Sequence, residues 1–231
     1  MTSRLVLFDI DGTILLTAGA GRRAITAALA ELVGDSAAFD RIRFDGKTDP
    51  QIVSELLAAA GEPGPYDDGH VQAVCERYVI LLERELATTT GTRLMPGFPS
   101  LLDRLEAETG VVLGLLTGNL ERGAALKLRA AGIDPARFKV GAFGSDAAYR
   151  PDLPPIAARR AEPFFGRRPA GPEVVIIGDT PADVACGAGI GARAVAVATG
   201  AYSVAALAAC GAHAVLPDFG DTDRALEAIL D

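Results

Sequence analysis

Short apolar runs that each end in polar residues recur along this chain, and they constrain its fold more than any other feature. The first run is Arg4–Phe8, and four more follow at Val111–Leu116, Glu173–Ile177, Arg193–Ala198 and His213–Leu216. Runs of this length and composition are typical of buried strands. Because helical patterns separate them, the sequence predicts βαβ units and an α/β fold with a Rossmann-like parallel sheet.

The helical patterns fall into two groups. Those between the apolar runs are Pro99–Glu108, Glu121–Ala131, Leu153–Phe165, Pro181–Ala188, Val204–Ala209 and Thr222–Leu230. The region from Leu16 to Thr90 contains no convincing strand, and its helical stretches are Ala24–Val33, Pro50–Ala60 and Val71–Ala87, with a Gly- and Pro-rich break at Gly61–Pro65. We therefore predict an all-helical cap at residues 16–90, with the sheet resuming near Leu94. Residues 1–15 and 91–231 then form the core.

Charge and composition exclude several classes of partner. The net charge is −8, whereas nucleic acids and anionic membranes select surfaces rich in Lys and Arg. The three cysteines are far apart, which fits a reducing compartment, and no apolar stretch approaches the length of a membrane span. The first strand begins almost at Met1, which leaves no room for a signal peptide. We expect a cytoplasmic monomer or homodimer without nucleic-acid or membrane partners.

The first apolar run ends in a pair of aspartates, Asp9 and Asp11, followed by Gly12. Residues i and i+2 of an extended segment share a face, so both carboxylates should point into one site. An Asp-Gly pair also opens ordinary turns, and the pair alone leaves both interpretations open. Because unpaired carboxylates are costly beside a buried strand, the position favours a functional site.

The third run adds two more carboxylates at the same edge of the predicted sheet. Asp179 ends the strand, and Asp183 falls in the first turn of a helix that Pro181 can begin. A helix cap would explain one of them but not both. Together with Asp9 and Asp11 they would repel one another without a cation, and carboxylates with no His or Cys nearby suit Mg²⁺. The sequence therefore predicts a magnesium site.

The second run ends in Thr117-Gly118-Asn119. A hydroxyl and free backbone N–H groups at a junction between a strand and a helix suit a phosphoryl oxygen. A Thr or Asn helix N-cap explains the same residues, so this motif carries weight only together with the others.

In this order, the three strand ends resemble the haloacid dehalogenase superfamily. The motifs are Asp9-Ile-Asp11-Gly12-Thr13, the strand ending in Thr117, and Gly178-Asp179 with Asp183. More narrowly, the chain is similar to the magnesium-dependent phosphatases of the phosphoglycolate phosphatase-like group, which carry a helical C1-type cap after the first motif. The resemblance covers nearly the whole chain.

This resemblance implies a role for each strand-end residue. Asp9 would be the nucleophile that forms an aspartyl-phosphate, and Asp11 the general acid and then the general base. Mg²⁺ would be held by Asp9, Asp179 and the backbone carbonyl of Asp11. Thr117, with Gly118 and Asn119, would bind the phosphoryl oxygens, and Asp183 would orient its neighbours.

One position departs from the family pattern. The family carries a Lys, often followed by Pro, before the Asp179 motif, but no lysine lies between Gly141 and Gly178. Arg150, which precedes Pro151, occupies the matching position, and we predict that it supplies the missing cation. Arg159 or Arg160 could reach the site instead. Because Arg and Lys differ in geometry, the replacement is not neutral.

The predicted cap offers two further cations. Arg22 follows a Gly-rich stretch that permits close approach to a ligand, and Lys47 is the only lysine within residues 16–90. We predict that both contact substrate, although a lone Lys is usually solvated. Asp49 is a candidate N-cap for a helix that begins at Pro50.

The resemblance leaves several functions open. The leading prediction is hydrolysis of a small phosphorylated metabolite, with phosphoglycolate among the candidates. Lys47 could instead form a Schiff base, as in the phosphonoacetaldehyde hydrolases of the same superfamily. A β-phosphoglucomutase-like mutase and a non-enzymatic binding or regulatory protein are the remaining alternatives.

Overall fold

The computed structural model describes residues 3–34, 39–61 and 68–231, and a parallel sheet lies at its centre. In chain order the strands are β1 (Arg4–Phe8), β2 (Leu15–Leu16), β3 (Arg93–Leu94), β4 (Val111–Thr117), β5 (Val140–Phe143), β6 (Val174–Gly178), β7 (Arg193–Val197) and β8 (Ala214–Leu216). The helices are α1 (Ala20–Val33), α2 (Asp49–Ala59), α3 (Asp68–Thr88), α4 (Phe98–Ala107), α5 (Glu121–Ala130), α6 (Leu153–Arg160), α7 (Glu162–Phe165), α8 (Pro181–Cys186), α9 (Val204–Ala209) and α10 (Thr222–Leu230).

Among the described residues, the main sheet has six parallel strands in the order β5-β4-β1-β6-β7-β8. The central strand β1 pairs with β4 on one side and β6 on the other. Since the carboxyl ends of parallel strands lie at one edge, the residues after β1, β4 and β6 meet there. The predicted α/β fold is confirmed.

Alternate residues of β1 enter two hydrophobic layers, as the period of a strand requires. Val6 and Phe8 belong to the layer that α4, α5 and α10 cover, whereas Leu5 and Leu7 belong to the layer under α6 and α8. Helices therefore cover both faces of the sheet, which explains why β1 is apolar at every buried position.

The helices between β2 and β3 have a hydrophobic cluster of their own. Its buried residues come from α1, α2 and α3 and include Ile25, Leu56 and Tyr78. The segment leaves and rejoins the core through the antiparallel pair β2 and β3, in which Leu15 lies opposite Leu94. This arrangement supports the proposed cap at residues 16–90, and we call that range the inserted segment.

Several details differ from the sequence predictions. The main sheet does not resume near Leu94, because β3 pairs with β2 outside it. Strand β5 was not predicted, since it is four residues long and contains Gly141. The helix predicted over Leu153–Phe165 divides after Arg160 because Pro163 has no N–H to continue it. The helix predicted over Pro181–Ala188 ends at Cys186, where a 3₁₀ turn begins.

The start of α2 also corrects a prediction. Thr48, not Asp49, is the N-cap, since the Thr48 hydroxyl accepts a hydrogen bond from the backbone N–H of Gln51. Of the predicted break at Gly61–Pro65, all but Gly61 lies outside the described residues. In the described part of the chain no helix is both long enough and apolar enough to cross a membrane.

Candidate active site

A cavity of about 460 Å³ lies between the carboxyl edge of the sheet and the inserted segment. From the core it is lined by Asp9, Asp11, Thr117, Gly118, Asn119, Lys127, Arg150 and Asp179, and from the inserted segment by Arg22, Lys47, Asp49 and Tyr78, among others. The structure therefore places every residue that the sequence assigned to catalysis or substrate binding around one cavity. Asp183 lies directly behind it.

Three buried carboxylates form a cluster at one side of the cavity. Asp9, Asp179 and Asp183 each offer an oxygen within 4.8 Å of the others. Burial raises the pKa of Asp179 to about 8, and the charges of Asp9 and Asp183 act in the same direction. Burial likewise raises the pKa of Asp9 to about 6, although Arg150 opposes the shift. A cation at this position would stabilise the ionised forms of both carboxylates.

Close backbone approach holds the Asp179 carboxylate in place. A Cβ atom at Gly12 would lie 2.4 Å from Asp179 Oδ2, and one at Gly200 would lie closer still. Gly12 also has a φ of +84°, which side chains rarely adopt. The Thr13 hydroxyl donates a hydrogen bond of 3.2 Å to Asp179 Oδ1. The two glycines therefore leave room for a carboxylate and nothing larger.

Asp183 is held by a reciprocal capping box at the start of α8. Its Oδ2 accepts hydrogen bonds from the backbone N–H and hydroxyl of Thr180, and the Thr180 hydroxyl accepts one from the backbone N–H of Asp183. The other carboxylate oxygen pairs with Arg150. Protein donors thus engage both oxygens, which suits the orienting role proposed for this residue.

Arg150 is the buried cation of this cluster. Its Nη2 lies 3.0 Å from Asp9 Oδ1, contacts Asp183 Oδ1 and donates to the carbonyl oxygen of Leu116 at 3.3 Å. Burial disfavours the charged form of Arg150 and so lowers its pKa. The nearby carboxylates of Asp183 and Asp9 outweigh this and raise the pKa of the guanidinium above its ordinary value. Of the alternatives, Arg159 is exposed and Arg160 pairs with Asp146. Neither lines the cavity.

The segment after β4 forms a local hydrogen-bond network. Asn119 Nδ2 donates to the Thr117 hydroxyl at 2.8 Å and to Asp11 Oδ2 at 2.8 Å. Gly118 faces the inserted segment, and a Cβ atom there would lie 2.0 Å from the carbonyl oxygen of Lys47. Its own carbonyl accepts the backbone N–H of Asp49 at 2.8 Å. Gly118 is therefore required for close docking of the inserted segment.

Lys127 is a site residue that the sequence reasoning missed. Its Nζ donates to Asp11 Oδ2 and to Asn119 Oδ1, both at 2.6 Å. The buried positions of α5 are Gly123, Ala124, Lys127 and Leu128, so Lys127 lies on an otherwise apolar helix face. A lone lysine in an apolar stripe was the available signal.

The two predicted cations of the inserted segment have protein partners. Lys47 Nζ forms an ion pair with Glu55 of α2. Arg22 donates to the carbonyl oxygens of Phe39 and Ile42 and lies 4.2 Å from the centre of the Phe44 ring. Within the described residues, no carboxylate pairs with the Arg22 guanidinium. Because Arg22 also lines the cavity, it brings a positive charge to that part of the site.

Asp49 joins the inserted segment to α5. Its Oδ2 accepts the backbone N–H of Leu120, the residue that precedes α5 in the chain. Burial raises the pKa of Asp49 to about 6, opposed by the nearby Lys127. A carboxylate at a helix N-terminus also interacts favourably with the helix dipole. The side chain predicted as a cap for its own helix therefore caps a different one.

This arrangement has the parts that phosphoryl transfer needs. Asp9 is a buried carboxylate beside a cation, and Asp11 presents a second carboxylate to the same cavity. The buried Asp9 and Asp179 carboxylates, with Asp183 beside them, fit a hard divalent cation, because the cluster contains only carboxylates and Asp179 resists ionisation without added positive charge.

Comparisons with known proteins show the family of this chain from sequence and a shared fold from structure. The sequence profile of haloacid dehalogenase-like hydrolases matches residues 3–191. A phosphoglycolate phosphatase of Rhodospirillum rubrum is 30% identical over 223 residues, covering 94% of this chain and 88% of that protein. A hydrolase from Pseudomonas syringae shares the fold with a TM-score of 0.72 at 23% identity, over 99% of this chain and 100% of the other. CbbY from Rhodobacter sphaeroides, solved in complex with phosphate, shares the fold with a TM-score of 0.71 at 22% identity. The match covers 95% of this chain and 96% of that chain.

Proposed function

Since the chain belongs to the haloacid dehalogenase-like hydrolase family and is an enzyme of that family, we propose that it hydrolyses small phosphomonoesters through an aspartyl-phosphate on Asp9. The observation that carries this proposal is the placement of Asp9. Its carboxylate lies in the cavity, 3.0 Å from the Arg150 guanidinium and beside Asp179, with Asp11 two residues further along the chain.

In the first step, an oxygen of the Asp9 carboxylate attacks phosphorus, and the bond from phosphorus to the ester oxygen breaks. Asp11 donates a proton to that leaving oxygen, which departs as an alcohol. In the second step, Asp11 removes a proton from water, whose oxygen attacks the phosphorus of the aspartyl-phosphate. Inorganic phosphate leaves, and the Asp9 carboxylate and protonated Asp11 are restored.

The phosphoryl oxygens need donors and positive charge. Arg150 supplies positive charge beside Asp9, and the Thr117 hydroxyl lies at the end of β4 at the same cavity. We propose that Asp9, Asp179 and the backbone carbonyl of Asp11 hold Mg²⁺, with Asp183 orienting Arg150. When bound, this cation would offset the negative charge of the carboxylates and of the transferring phosphoryl group.

The inserted segment suggests a small anionic substrate. Arg22 brings a cation to the cavity that no described carboxylate neutralises, and the related protein of Rhodospirillum rubrum is named a phosphoglycolate phosphatase. A phosphomonoester with a carboxylate near the phosphate would satisfy Arg22 while its phosphate lies at Asp9. We therefore propose 2-phosphoglycolate or a similar acidic phosphomonoester as substrate.

The carbon–phosphorus hydrolase alternative receives less support. A Schiff base requires a lysine amine free to attack a carbonyl carbon, whereas Lys47 Nζ is held in an ion pair with Glu55. No contact of the described residues favours the mutase or the non-enzymatic alternative over hydrolysis.

The proposal is tested by measuring phosphate release from a panel of phosphomonoesters that includes 2-phosphoglycolate, with Mg²⁺ and with chelator. We expect magnesium-dependent release by the wild-type enzyme and a loss of at least about 10⁴-fold in Asp9→Asn, since the nucleophile is removed. A wild-type enzyme that releases no phosphate from any ester would contradict the proposal. Trapping with borohydride and phosphonoacetaldehyde would then test Lys47.

A further inference from the structure

Lys127 contacts Asp11, whereas Arg150 contacts Asp9. We infer that Lys127 is a positioning residue that fixes the Asp11 carboxylate so that one defined oxygen, Oδ1, exchanges the proton with the leaving group and with water. This inference rests on the proposed function, because it assigns a task to the residue that holds the general acid.

The two oxygens of Asp11 have different surroundings. Oδ2 accepts hydrogen bonds from Lys127 Nζ at 2.6 Å and from Asn119 Nδ2 at 2.8 Å. In the described part of the chain, no residue donates to Oδ1. The Asp11 side chain is 42% exposed, and it lines the cavity. Oδ1 is therefore the oxygen available to a substrate.

The chemistry of the donors determines where the proton resides. A lysine ammonium has three donors and no acceptor, and the Asn119 group that faces Oδ2 is also a donor. A proton on Oδ2 would meet donors only, so the protonated form of Asp11 carries its proton on Oδ1. Without Lys127, only Asn119 Nδ2 would hold Oδ2, and Asn119 would itself lose the partner of its Oδ1, so the carboxyl group could rotate more freely and exchange its two oxygens.

Lys127 is itself rigidly held, which a positioning residue requires. Its side chain is 5% exposed, and its Nζ also donates to Asn119 Oδ1 at 2.6 Å. Asn119 in turn donates to both Asp11 and Thr117, so Lys127 closes a network that joins the proposed acid to the proposed phosphate ligand.

A glycine of the inserted segment, Gly21, lies beside the Lys127 ammonium. A Cβ atom at Gly21 of α1 would lie 3.3 Å from Lys127 Nζ and 3.8 Å from the hydroxyl of Tyr78 in α3. Glycine within a helix costs about 1 kcal/mol relative to alanine, so its presence at this position is consistent with the space that the ammonium needs. The Lys127 ammonium therefore lies close to two helices of the inserted segment, α1 and α3.

The dependence of the rate on the leaving group separates positioning of the acid from general structural support. An alkyl phosphate such as 2-phosphoglycolate expels an alkoxide that needs a proton, whereas p-nitrophenyl phosphate expels a stable anion that does not. Water attack on the aspartyl-phosphate needs Asp11 as a base with either ester. Loss of positioning should therefore slow the first step for the alkyl ester only, and the second step for both.

The experiment compares wild-type enzyme and Lys127→Met on these two esters with saturating Mg²⁺. For 2-phosphoglycolate we expect kcat to fall about 100-fold with little change in KM, in the range of general acid–base contributions. For p-nitrophenyl phosphate we expect a rapid burst of about one p-nitrophenolate per active site, followed by slow turnover, because the aspartyl-phosphate accumulates. Lys139→Met is the matched control, since Lys139 is exposed and outside the cavity.

Two results would overturn the inference. One is an equal loss on both esters without a burst in a variant with wild-type circular dichroism, and the other is unchanged kinetics. If Lys127→Met does not fold, Lys127→Gln is tested by the same comparison. Its amide is shorter, uncharged and carries an acceptor oxygen, so it should not hold Asp11 Oδ2 as the ammonium does, and the same burst with p-nitrophenyl phosphate is expected. Failure of the proposed function itself gives a different result, namely a wild-type enzyme that turns over neither ester.

Discussion

Arg150 and Lys127 are buried cations that line the same cavity. Each contacts different carboxylates, and each lies in different surroundings. The Arg150 side comprises Asp9, Asp179 and Asp183 with Arg150, and all four residues belong to the core. The Lys127 side comprises Asp11 and Asn119 with Lys127, and Asp49, Gly21 and Tyr78 of the inserted segment complete it. One side is complete within the core, whereas the other depends on contact with the insertion.

The difference separates two tasks within one site. The Arg150 side holds the proposed nucleophile and metal ligands, which must be present whichever ester is bound. The Lys127 side holds the proposed acid, whose carboxylate lies at the junction with the segment that covers the cavity. We therefore expect changes on the Arg150 side to affect the free energy of unfolding and the chemistry together. Changes near the inserted segment should affect substrate binding and turnover more than the free energy of unfolding.

The largest expected effect comes from Arg150→Met. Removing the guanidinium leaves Asp9 and Asp183 buried without their cation, and breaking a buried pair in this way costs about 3–5 kcal/mol of unfolding free energy. Denaturant unfolding of magnesium-free protein measures the loss. In the control Arg159→Met, an exposed arginine is replaced, and a change within about 0.5 kcal/mol is expected. Equal stability of the two variants would show that Arg150 does not hold the cluster together.

A smaller effect is expected from the titration of Asp179 in the metal-free protein. Burial first, and then the charges of Asp9 and Asp183, raise the pKa of Asp179 from 3.8 to about 8. Because the pKa of Asp179 is higher in the folded than in the unfolded protein, its protonated form stabilises the fold. This contribution to the free energy of unfolding is complete below about pH 4 and is lost as pH rises through about 8. Wild-type thermal stability should therefore fall over this range more steeply than that of Asp179→Asn.

Adding Mg²⁺ provides a second test of the role of Asp179. The proposed cation would bind the ionised carboxylates, so it should raise the unfolding temperature of the wild type at pH 8 and much less that of Asp179→Asn. Asp134→Asn, which changes an exposed carboxylate, should respond like the wild type. Identical pH profiles for wild type and Asp179→Asn would contradict the assignment.

The smallest effect is expected where the inserted segment meets the core. In Gly118→Ala the new Cβ atom would lie 2.0 Å from the Lys47 carbonyl oxygen, so the loop of the inserted segment must move. We expect KM for the substrate to rise about tenfold while the unfolding free energy of the core changes little, since misplaced substrate-binding groups weaken productive binding. Steady-state kinetics measure this, with Gly189→Ala as control because a Cβ atom there meets open space. A tenfold fall in kcat at constant KM would instead indicate that Gly118 supports the chemistry directly.

The comparison also shows which parts of the molecule could be predicted from sequence. The apolar runs predicted five of the six strands of the main sheet, and the family resemblance carried by the strand-end motifs is confirmed. Parallel strands bring their carboxyl ends together, so Asp9, Asp11, Thr117 and Asp179 were predicted as neighbours from topology alone. Strand β5 was missed because four residues with a glycine carry little periodic signal.

The Lys127 side was much harder to predict. Lys127 lies well within α5, and its contact with Asp11 depends on how that helix packs, which no spacing in the sequence encodes. Asp49 was predicted to cap its own helix because capping rules consider only neighbouring residues, whereas its partner Leu120 is far along the chain. Contacts between sequence-distant elements are therefore what the sequence reasoning lacked. The assignment of the site residues to their chemical roles stays a prediction.

The antiparallel pair β2 and β3 has a consequence for how such an enzyme changes over time. Because Leu15 and Leu94 lie side by side, the chain leaves the core and returns to it at almost the same point. An insertion with adjacent ends can be lengthened, shortened or exchanged without altering the order of the strands beneath it. Selection can therefore alter what the inserted segment admits to the cavity while the carboxylates at the sheet edge, and the hydrolytic chemistry proposed for them, are inherited unchanged.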